Sequence, residues 1–201
     1  FTKNGNIIEI QTKNLVKLLP KIKDIINKGR NIKVVHPVII STTIEIYDSD
    51  NKLISRRKSP KKGSIYDVIN ELSGLCEVLL DPYFYLEIVE INMIEQRIRT
   101  EENVQSKNKK RRFKRNWNKI NKKLAKIISI KRFSSKQDYT KLIPELPETF
   151  CSKDLKKVLL NNKHLPANAA QKANYLLWVF SHANIITHVK TEKRLKYYKL
   201  M

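Results

Sequence analysis

Residues 7–40 read IIEIQTKNLVKLLPKIKDIINKGRNIKVVHPVII, and this stretch decides the fold of the first part of the chain. It begins with a β-branched run from Ile7 to Ile10, which favours a strand. Apolar residues then recur at three- and four-residue spacing from Leu15 to Ile26, which is the pattern of an amphipathic helix. Residues 34–40 form a continuous apolar run that is typical of a buried strand. Together these segments predict an α/β unit.

Three residues are expected to delimit the helix. Asn14 is placed to cap its start, Pro20 to kink it or to begin a second helix, and Gly29 to end it. His36 lies inside the following apolar run. We interpret it as a buried histidine with a hydrogen-bond partner rather than a metal ligand, because the four histidines of the chain have no metal-ligand spacing.

Further turns and apolar runs complete the first hundred residues. A strand is expected to end near Tyr47, to turn at residues 48–51 and to return from Leu53. Two more elements are predicted, a helix over residues 64–80 and a strand over residues 84–98. This order predicts a mixed sheet flanked by helices, which forms a domain over residues 1–100.

The composition changes in residues 101–136. After Glu102 no acidic residue occurs until Asp138, whereas thirteen Lys and Arg residues lie between positions 107 and 132. Such a charge run is usually flexible unless a polyanion neutralises it. Its second half, which begins near Trp117, also predicts one basic amphipathic helix. We therefore expect a basic linker or helix at residues 101–136.

The last segment, residues 137–201, predicts two helices followed by a β-hairpin. Asn184 suits a left-handed stop between the second helix and the hairpin. This order is that of a winged helix-turn-helix domain. The helices are expected over residues 152–160 and 167–183, and the strands over residues 185–190 and 195–200.

Charge and cysteine usage exclude several classes of protein. The 201 residues include 41 Lys and Arg against 19 Asp and Glu, a formal net charge of +22 that favours a polyanionic partner. No run approaches the roughly 18 apolar residues of a membrane span, and no signal peptide is visible. Cys76 and Cys151 lie too far apart in sequence for a zinc-finger pattern. We expect no membrane association and a reducing, cytoplasmic location.

Glu9 and Gln11 form a candidate catalytic pair on the first strand. Alternate residues of a strand share one face, so both side chains are expected to point the same way. The carboxylate of Glu9 could then bind Mg²⁺ while the amide of Gln11 orients a water molecule or a phosphate. The alternative is that both side chains lie in solvent on an edge strand.

The segment around Glu9 and Gln11 resembles the second half of the PD-(D/E)XK nuclease core. The resemblance implies a restriction-endonuclease-like core, truncated at its N-terminus, in which Glu9 is a magnesium ligand and both residues are catalytic. Gln11 stands where that core has Lys, and the second carboxylate is expected upstream of Phe1. The wider pattern resembles an uncharacterised bacterial family with a C-terminal winged helix, on the motifs EIQT at 9–12, VHP at 35–37, RRKSPK at 56–61 with Gly63, and the segment 150–198.

Three sets of residues are candidates for nucleic-acid binding. One is a cationic cluster that precedes the second helix, whose N–H groups could help to hold a phosphate. Another is the basic linker, where Phe113 and Trp117 either stack on bases or anchor the linker. The third is the winged helix, with amides suited to adenine edges and wing cations suited to phosphates. In order, the sets are Arg56, Arg57, Lys58, Lys61 and Lys62; Lys110, Arg111, Arg112, Lys114 and Arg115; and Asn168, Gln171, Lys172, Lys193 and Arg194.

These observations predict a nucleic-acid-binding protein with double-stranded DNA as its partner. The leading hypothesis is a magnesium-dependent DNA endonuclease or a derivative of one. A second hypothesis is a non-catalytic DNA-binding regulator or scaffold that keeps the nuclease-like core. A third is an RNA- or ribosome-associated basic protein, because a net charge of +22 does not distinguish one phosphate backbone from another.

Overall fold

The computed structural model describes residues 2–3, 6–106 and 109–201. In these ranges the chain forms strands and short helices in alternation, which agrees with the predicted mixed α/β class. The strands are β1 (Thr2–Lys3), β2 (Asn6–Ile10), β3 (Ile32–Tyr47), β4 (Leu53–Lys58), β5 (Phe84–Val104), β6 (Arg115–Phe133), β7 (Phe150–Cys151), β8 (Ile186–Glu192) and β9 (Leu195–Leu200). The helices are α1 (Leu19–Asn27), α2 (Ile69–Leu72), α3 (Lys136–Thr140), α4 (Ser152–Asn161) and α5 (Ala173–His182).

Six strands form one mixed sheet in the order β1-β2-β3-β5-β6, with β4 paired to β3. Strands β2 and β3 are parallel, and α1 lies between them in sequence. Side-chain hydrogen bonds join β3 to β5 at a constant separation of 51 residues, from Ser41 to Asn92 and from Gln96 to Glu45, as between parallel strands. Strand β4 returns antiparallel along β3. The sheet therefore contains both parallel and antiparallel pairs.

The deciding stretch folds largely as predicted. A 3₁₀ turn over Leu15–Leu18 precedes α1, and Pro20 lies in the first turn of α1, where its missing N–H costs nothing. Gly29 follows the helix with a φ of 65°. The prediction for Asn14 is wrong, because its side chain makes no capping hydrogen bond and its backbone is itself left-handed.

His36 is buried among alternating apolar residues of β3, as predicted. Ile32, Val34 and Val38 share its buried pattern. The Nδ1 atom of His36 lies 2.7 Å from the backbone oxygen of Gln11, so the imidazole has a hydrogen-bond partner. The ring is therefore a buried histidine with a hydrogen-bond partner.

The predicted basic helix after residue 101 is wrong. Strand β5 continues to Val104, and β6 occupies Arg115–Phe133. Residues 117–130 carry apolar side chains at helical spacing, but Ile and Asn are poor helix formers and pairing with β5 satisfies their backbone groups. Tertiary pairing overrides the local pattern here.

The helix expected over residues 64–80 is also much shorter. A 3₁₀ turn over Ile65–Val68 leads into α2, which ends at Leu72. Beyond it the amides of Leu75, Val78 and Asp81 each bond to the carbonyl three residues earlier, so the segment continues as successive turns.

The C-terminal segment, residues 137–201, has the predicted order of helices and hairpin. A 3₁₀ segment over Ala167–Lys172 precedes α5, and Asn184 has the expected positive φ. Strand β7 adds to the hairpin, giving a three-stranded sheet in the order β7-β9-β8. Helix α4 begins at Ser152, and its N-cap is Cys151, whose N–H donates to the Asp154 carboxylate at 2.9 Å.

The chain divides into two compact units. The core unit comprises residues 1–38, 64–89 and 130–201, and the β unit comprises residues 39–63 and 90–129. This division interleaves the ranges 1–100, 101–136 and 137–201 that the sequence suggested as separate domains. Within the core unit the C-terminal segment contacts the segment before α2, since the Tyr66 hydroxyl donates to the Leu142 carbonyl at 3.1 Å. In the described part of the chain, no helix has the length and apolar character needed to cross a membrane.

Candidate nucleic-acid interface

The positive charge of the chain is concentrated in the β unit. This unit has 19 Lys and Arg against 7 Asp and Glu, a net +12 in 65 residues. The core unit has 22 against 12, a net +10 in 136 residues. Strand β6 alone carries seven Lys and Arg and no acidic residue. The positive charge per residue is therefore higher in the β unit than in the core unit.

The first predicted cluster lies on and after β4. Arg56 pairs across from Glu45, and its Nε lies 3.5 Å from a Glu45 carboxylate oxygen. Arg57 and Lys58 follow on alternate faces of the strand, and both are exposed. Lys61 and Lys62 lie in the exposed segment after the strand. Arg56, Arg57 and Lys58 thus lie on the two faces of β4, and Lys61 and Lys62 follow in the next segment.

The helical turn that follows this cluster begins with a capping box between Ser64 and Asp67. The N–H of Ser64 already donates to the Asp67 carboxylate at 3.0 Å. A negative charge therefore occupies the start of this segment, and the helical turn after it has only four residues. A phosphate contact by the N–H groups of this segment stays a prediction, and the Asp67 carboxylate at its start disfavours a second anion there.

The second predicted cluster lies in the connection from β5 to β6. Lys110, Arg112, Lys114 and Arg115 are exposed, whereas Arg111 is half-buried. Arg111 donates through Nη1 to the backbone oxygens of Val104 at 3.2 Å and Trp117 at 3.3 Å. Arg111 thus joins the end of β5 to the start of β6. Lys107, part of the same charge run, lies outside the described residues.

Trp117 is covered by guanidinium groups. The Arg97 guanidinium carbon lies 3.6 Å from the centroid of the indole ring, and that of Arg111 lies 4.0 Å from it. Cation–π contacts of this length stabilise the pairing of β5 with β6. Of the two readings of Trp117, this geometry favours an anchor over a free stacking platform.

Two buried carboxylates of the β unit, Glu95 and Glu45, form ion pairs with its cations. Glu95 accepts from Arg97 at 2.7 Å and from Lys119 at 2.5 Å. Burial opposes ionisation of Glu95, but the hydrogen bonds from Lys119 and Arg97 outweigh it and keep the pKa of the carboxyl below its ordinary value. Glu95 therefore stays charged and holds both cations on the sheet.

Glu45 forms the second carboxylate network. It accepts a hydrogen bond from the Tyr47 hydroxyl at 2.8 Å, and Gln96 donates to both groups. The bond from Tyr47, the bond from Gln96 and the charge of Arg56 together lower the pKa of Glu45 despite its burial. The same bond raises the pKa of Tyr47. The network links β3, β4 and β5, and sequence reasoning missed it because its members lie 51 residues apart.

Strand β6 is the last strand in the sheet order and is exposed over most of its length. Apolar side chains are interspersed with its cations, and Leu124 is 59% exposed. Lysines at an exposed sheet edge discourage pairing with a second copy, because the copies would bring equal charges together. The exposed apolar residues are Ile120, Leu124, Ile127, Ile128 and Ile130.

The predicted reading residues of the C-terminal segment lie before α5 rather than on it. Asn168, Gln171 and Lys172 belong to the 3₁₀ segment, where Gln171 is exposed and the other two are half-buried. Helix α5 itself exposes Trp178, whose ring stacks on His182 at 4.0 Å. Lys193 and Arg194 form the exposed turn of the β8–β9 hairpin.

Glu9 and Gln11 do not form a magnesium site with the described residues. The Glu9 carboxylate is paired with the Lys21 ammonium group, and Gln11 donates its amide to the Lys13 carbonyl at 2.7 Å. Within the described ranges, no group of three or more His, Cys, Asp and Glu side chains is placed to hold a metal ion. The donors present do not fit Mg²⁺, and no catalytic step follows from them.

A cavity of about 530 Å³ in the core unit was also missed by sequence reasoning. On its wall Glu87 accepts from Arg132 at 3.0 Å and lies 3.6 Å from Lys33. The carboxylate is thus neutralised by two cations from neighbouring strands. No spacing in the sequence marks these residues, because they come from β3, β5 and β6.

The fold and surface define a mixed α/β protein with a strongly cationic β unit. Residues 1–134 match the family described as a domain of unknown function (DUF8091), and the chain belongs to this family. The matched region ends just after β6, so the C-terminal segment lies outside the family domain. No solved structure matches the chain.

An uncharacterized protein of Treponema pallidum (strain Nichols) is similar to this chain. The two are 30% identical over 153 residues, which is 76% of this chain. The chain spans 58% of the length of that relative. Because 153 residues exceed the 134 of the family match, the similarity continues into the C-terminal segment.

Proposed function

We propose that this protein binds double-stranded DNA without cutting it, and that the β unit contacts the phosphate backbone. The observation that carries this proposal is the net charge of +12 on the β unit, including a 19-residue strand with seven cations and no carboxylate. Cations in such an array release condensed counterions from a nucleic acid, which supplies sequence-independent affinity.

The C-terminal segment supports duplex DNA as the partner. Its order of α3, β7, α4, α5, β8 and β9, with the sheet order β7-β9-β8, is consistent with a winged helix. In that reading α5 is the recognition helix, and Asn168 and Gln171 lie just before its first turn, where such helices contact base edges. Lys193 and Arg194 at the hairpin turn would contact phosphates and position the protein.

A non-catalytic role agrees best with the environment of Glu9. Its ion pair with Lys21 neutralises the carboxylate that a nuclease would need as a metal ligand. A cytoplasmic location is part of the proposal, since DNA is the partner and both Cys76 and Cys151 are free thiols.

The test is the salt dependence of binding to a fluorescent 20-base-pair duplex, measured by anisotropy. The variant with Arg57, Lys58, Lys61 and Lys62 all changed to Ala should bind more weakly. The slope of log K against log salt should become less steep by about 3–4, because each lost phosphate contact removes about 0.9. An unchanged slope removes this cluster from the interface.

A matched control separates local contact from total charge. The control variant changes Lys13, Lys17, Lys23 and Lys28 to Ala. It also removes four positive charges, but from the region of α1 in the core unit. This control should keep most of the wild-type slope. Equal losses in both variants would mean that net charge alone attracts DNA and that the β unit is not the binding surface.

Two further arms address the remaining hypotheses. Supercoiled plasmid with Mg²⁺ should be retarded but uncut by wild type and by Glu9→Gln alike, whereas cutting that disappears in Glu9→Gln would establish a nuclease. A structured RNA hairpin should compete less well than duplex DNA of equal charge. Stronger competition by the hairpin would assign the protein to RNA instead.

A further inference from the structure

Phe113 is an exposed aromatic residue in the most cationic connection of the β unit. It lies between β5 and β6 and is 57% exposed. The Arg112 guanidinium carbon lies 5.1 Å from its ring centroid. A ring left in water forgoes the stabilisation that burial of an aromatic side chain provides. Lys109, Lys110, Arg111, Arg112, Lys114 and Arg115 are the described cations around it.

The backbone on either side of Phe113 is held by specific hydrogen bonds. Arg111 bonds to the carbonyls of Val104 and Trp117, as described above. Gln105 donates its side-chain amide to the Arg111 carbonyl at 3.0 Å. These bonds cross the connection, so Phe113 is presented from a tied turn. A residue presented in this way loses little conformational freedom on binding.

The β5–β6 pair extends beyond the rest of the sheet. Strand β3 ends at Tyr47, and Gln96 of β5 donates to the side chains of Glu45 and Tyr47 at that end of β3. Residues 99–104 of β5 therefore continue past β3, with β6 as their neighbour in the sheet order. A two-stranded ribbon of this kind fits a DNA groove, whereas a broad sheet does not.

Phe113 is the available aromatic residue of this basic region. Among the described residues from 105 to 133, the other aromatic side chains are Trp117 and Phe133. Trp117 is covered by Arg97 and Arg111, and Phe133 is buried against Tyr139.

Resting on the proposed function, we infer that Phe113 is a wedge that inserts between two base pairs of duplex DNA while the cations around it hold the flanking phosphates. DNA-binding proteins that insert an apolar side chain between base pairs unstack them in this way. The DNA bends as a result, and the bend brings more phosphates to the protein. Flexible pyrimidine–purine steps such as TA cost least to open, so the wedge selects them.

The experiment uses the full chain and a DNA duplex that carries 2-aminopurine at a central TA step. The fluorescence of 2-aminopurine rises when this base unstacks. Wild type should bind and raise the fluorescence. Phe113→Ala should lose the fluorescence rise and bind about tenfold more weakly, within the range for one base–aromatic contact. Its salt slope should equal that of wild type, because no charge is removed.

Two companion variants make the result specific. Phe113→Trp should retain the fluorescence rise, because an indole ring can also insert. Tyr83→Ala removes a 40%-exposed aromatic side chain from the core unit and should behave as wild type. Wild-type binding with no fluorescence rise, or a rise that persists in Phe113→Ala, overturns the wedge. Absence of binding by wild type is a separate outcome, which overturns the proposed function itself.

Discussion

The guanidinium carbon of Arg97 on β5 lies 3.6 Å from the centroid of the Trp117 ring on β6. The same guanidinium group donates to the buried Glu95 carboxylate at 2.7 Å. A planar cation thus bridges an aromatic face and an anion, and it fixes two strands that are joined by a cationic connection. The stability of the β unit should depend on this bridge.

Arg97→Lys should lower the free energy of unfolding by about 1 kcal/mol, since an ammonium group keeps the charge but loses the planar stack. A double-mutant cycle with Trp117→Leu, measured by urea denaturation, should give a coupling energy of the same size. Arg99→Lys, an exposed position on the same strand, is the control and should have no measurable effect. Additive effects of Arg97→Lys and Trp117→Leu would contradict the bridge.

Tyr47→Phe should raise the pKa of Glu45 toward its ordinary value of 4.5, because the largest cause of its lowering is the hydrogen bond from Tyr47. A carboxyl with a lowered pKa in the fold contributes stability that is present above 4.5 and is lost as the pH falls. Wild type should therefore lose more stability on acidification than Tyr47→Phe. Carboxyl titration by NMR checks the shift, and an unmoved Glu45 would contradict it.

Lys193→Asn with Arg194→Gly should stabilise the hairpin and weaken DNA binding at the same time. The two residues have φ values of 45° and 68°, and Asn-Gly adopts such a turn with less strain, by about 1 kcal/mol. Loss of two cations should flatten the salt slope by about 2 if both contact phosphates. Thermal melts and anisotropy measure the two effects.

The exchange Lys193→Arg with Arg194→Lys keeps both charge and backbone strain, so it should change neither quantity. If the Asn-Gly variant gained stability and kept the wild-type salt slope, the turn would lie outside the DNA interface.

Gly74→Ala should destabilise the core unit, because a Cβ at this position would overlap the Val16 side chain. Val16 would have to move together with the segment that carries it, at a cost of about 1–2 kcal/mol. Val16→Ala in the same chain should restore part of the loss. Urea denaturation of the two variants measures both changes. Equal stabilities of Gly74→Ala and wild type would show that Val16 moves aside without a free-energy cost.

Local signals predicted much of the fold. The β-branched run at Ile7, the start of a helix at Pro20 and the left-handed stop at Asn184 each depend on a few neighbouring residues, and each is found in the structure. Residues 117–130 were misread because their apolar side chains fit a helical period as well as a strand. Pairing with β5 decided between them, and that pairing involves residues distant in sequence.

The sequence by itself determined the mixed α/β class, the large positive charge and the buried place of His36, because composition and periodicity act through adjacent residues. Only the tertiary structure decided which cations are exposed and which are bound. It enclosed Trp117 between Arg97 and Arg111, paired Glu9 with Lys21 and left Phe113 in solvent. These contacts join residues that strand pairing brings together, so their chemistry depends on the sheet register rather than on spacing along the chain.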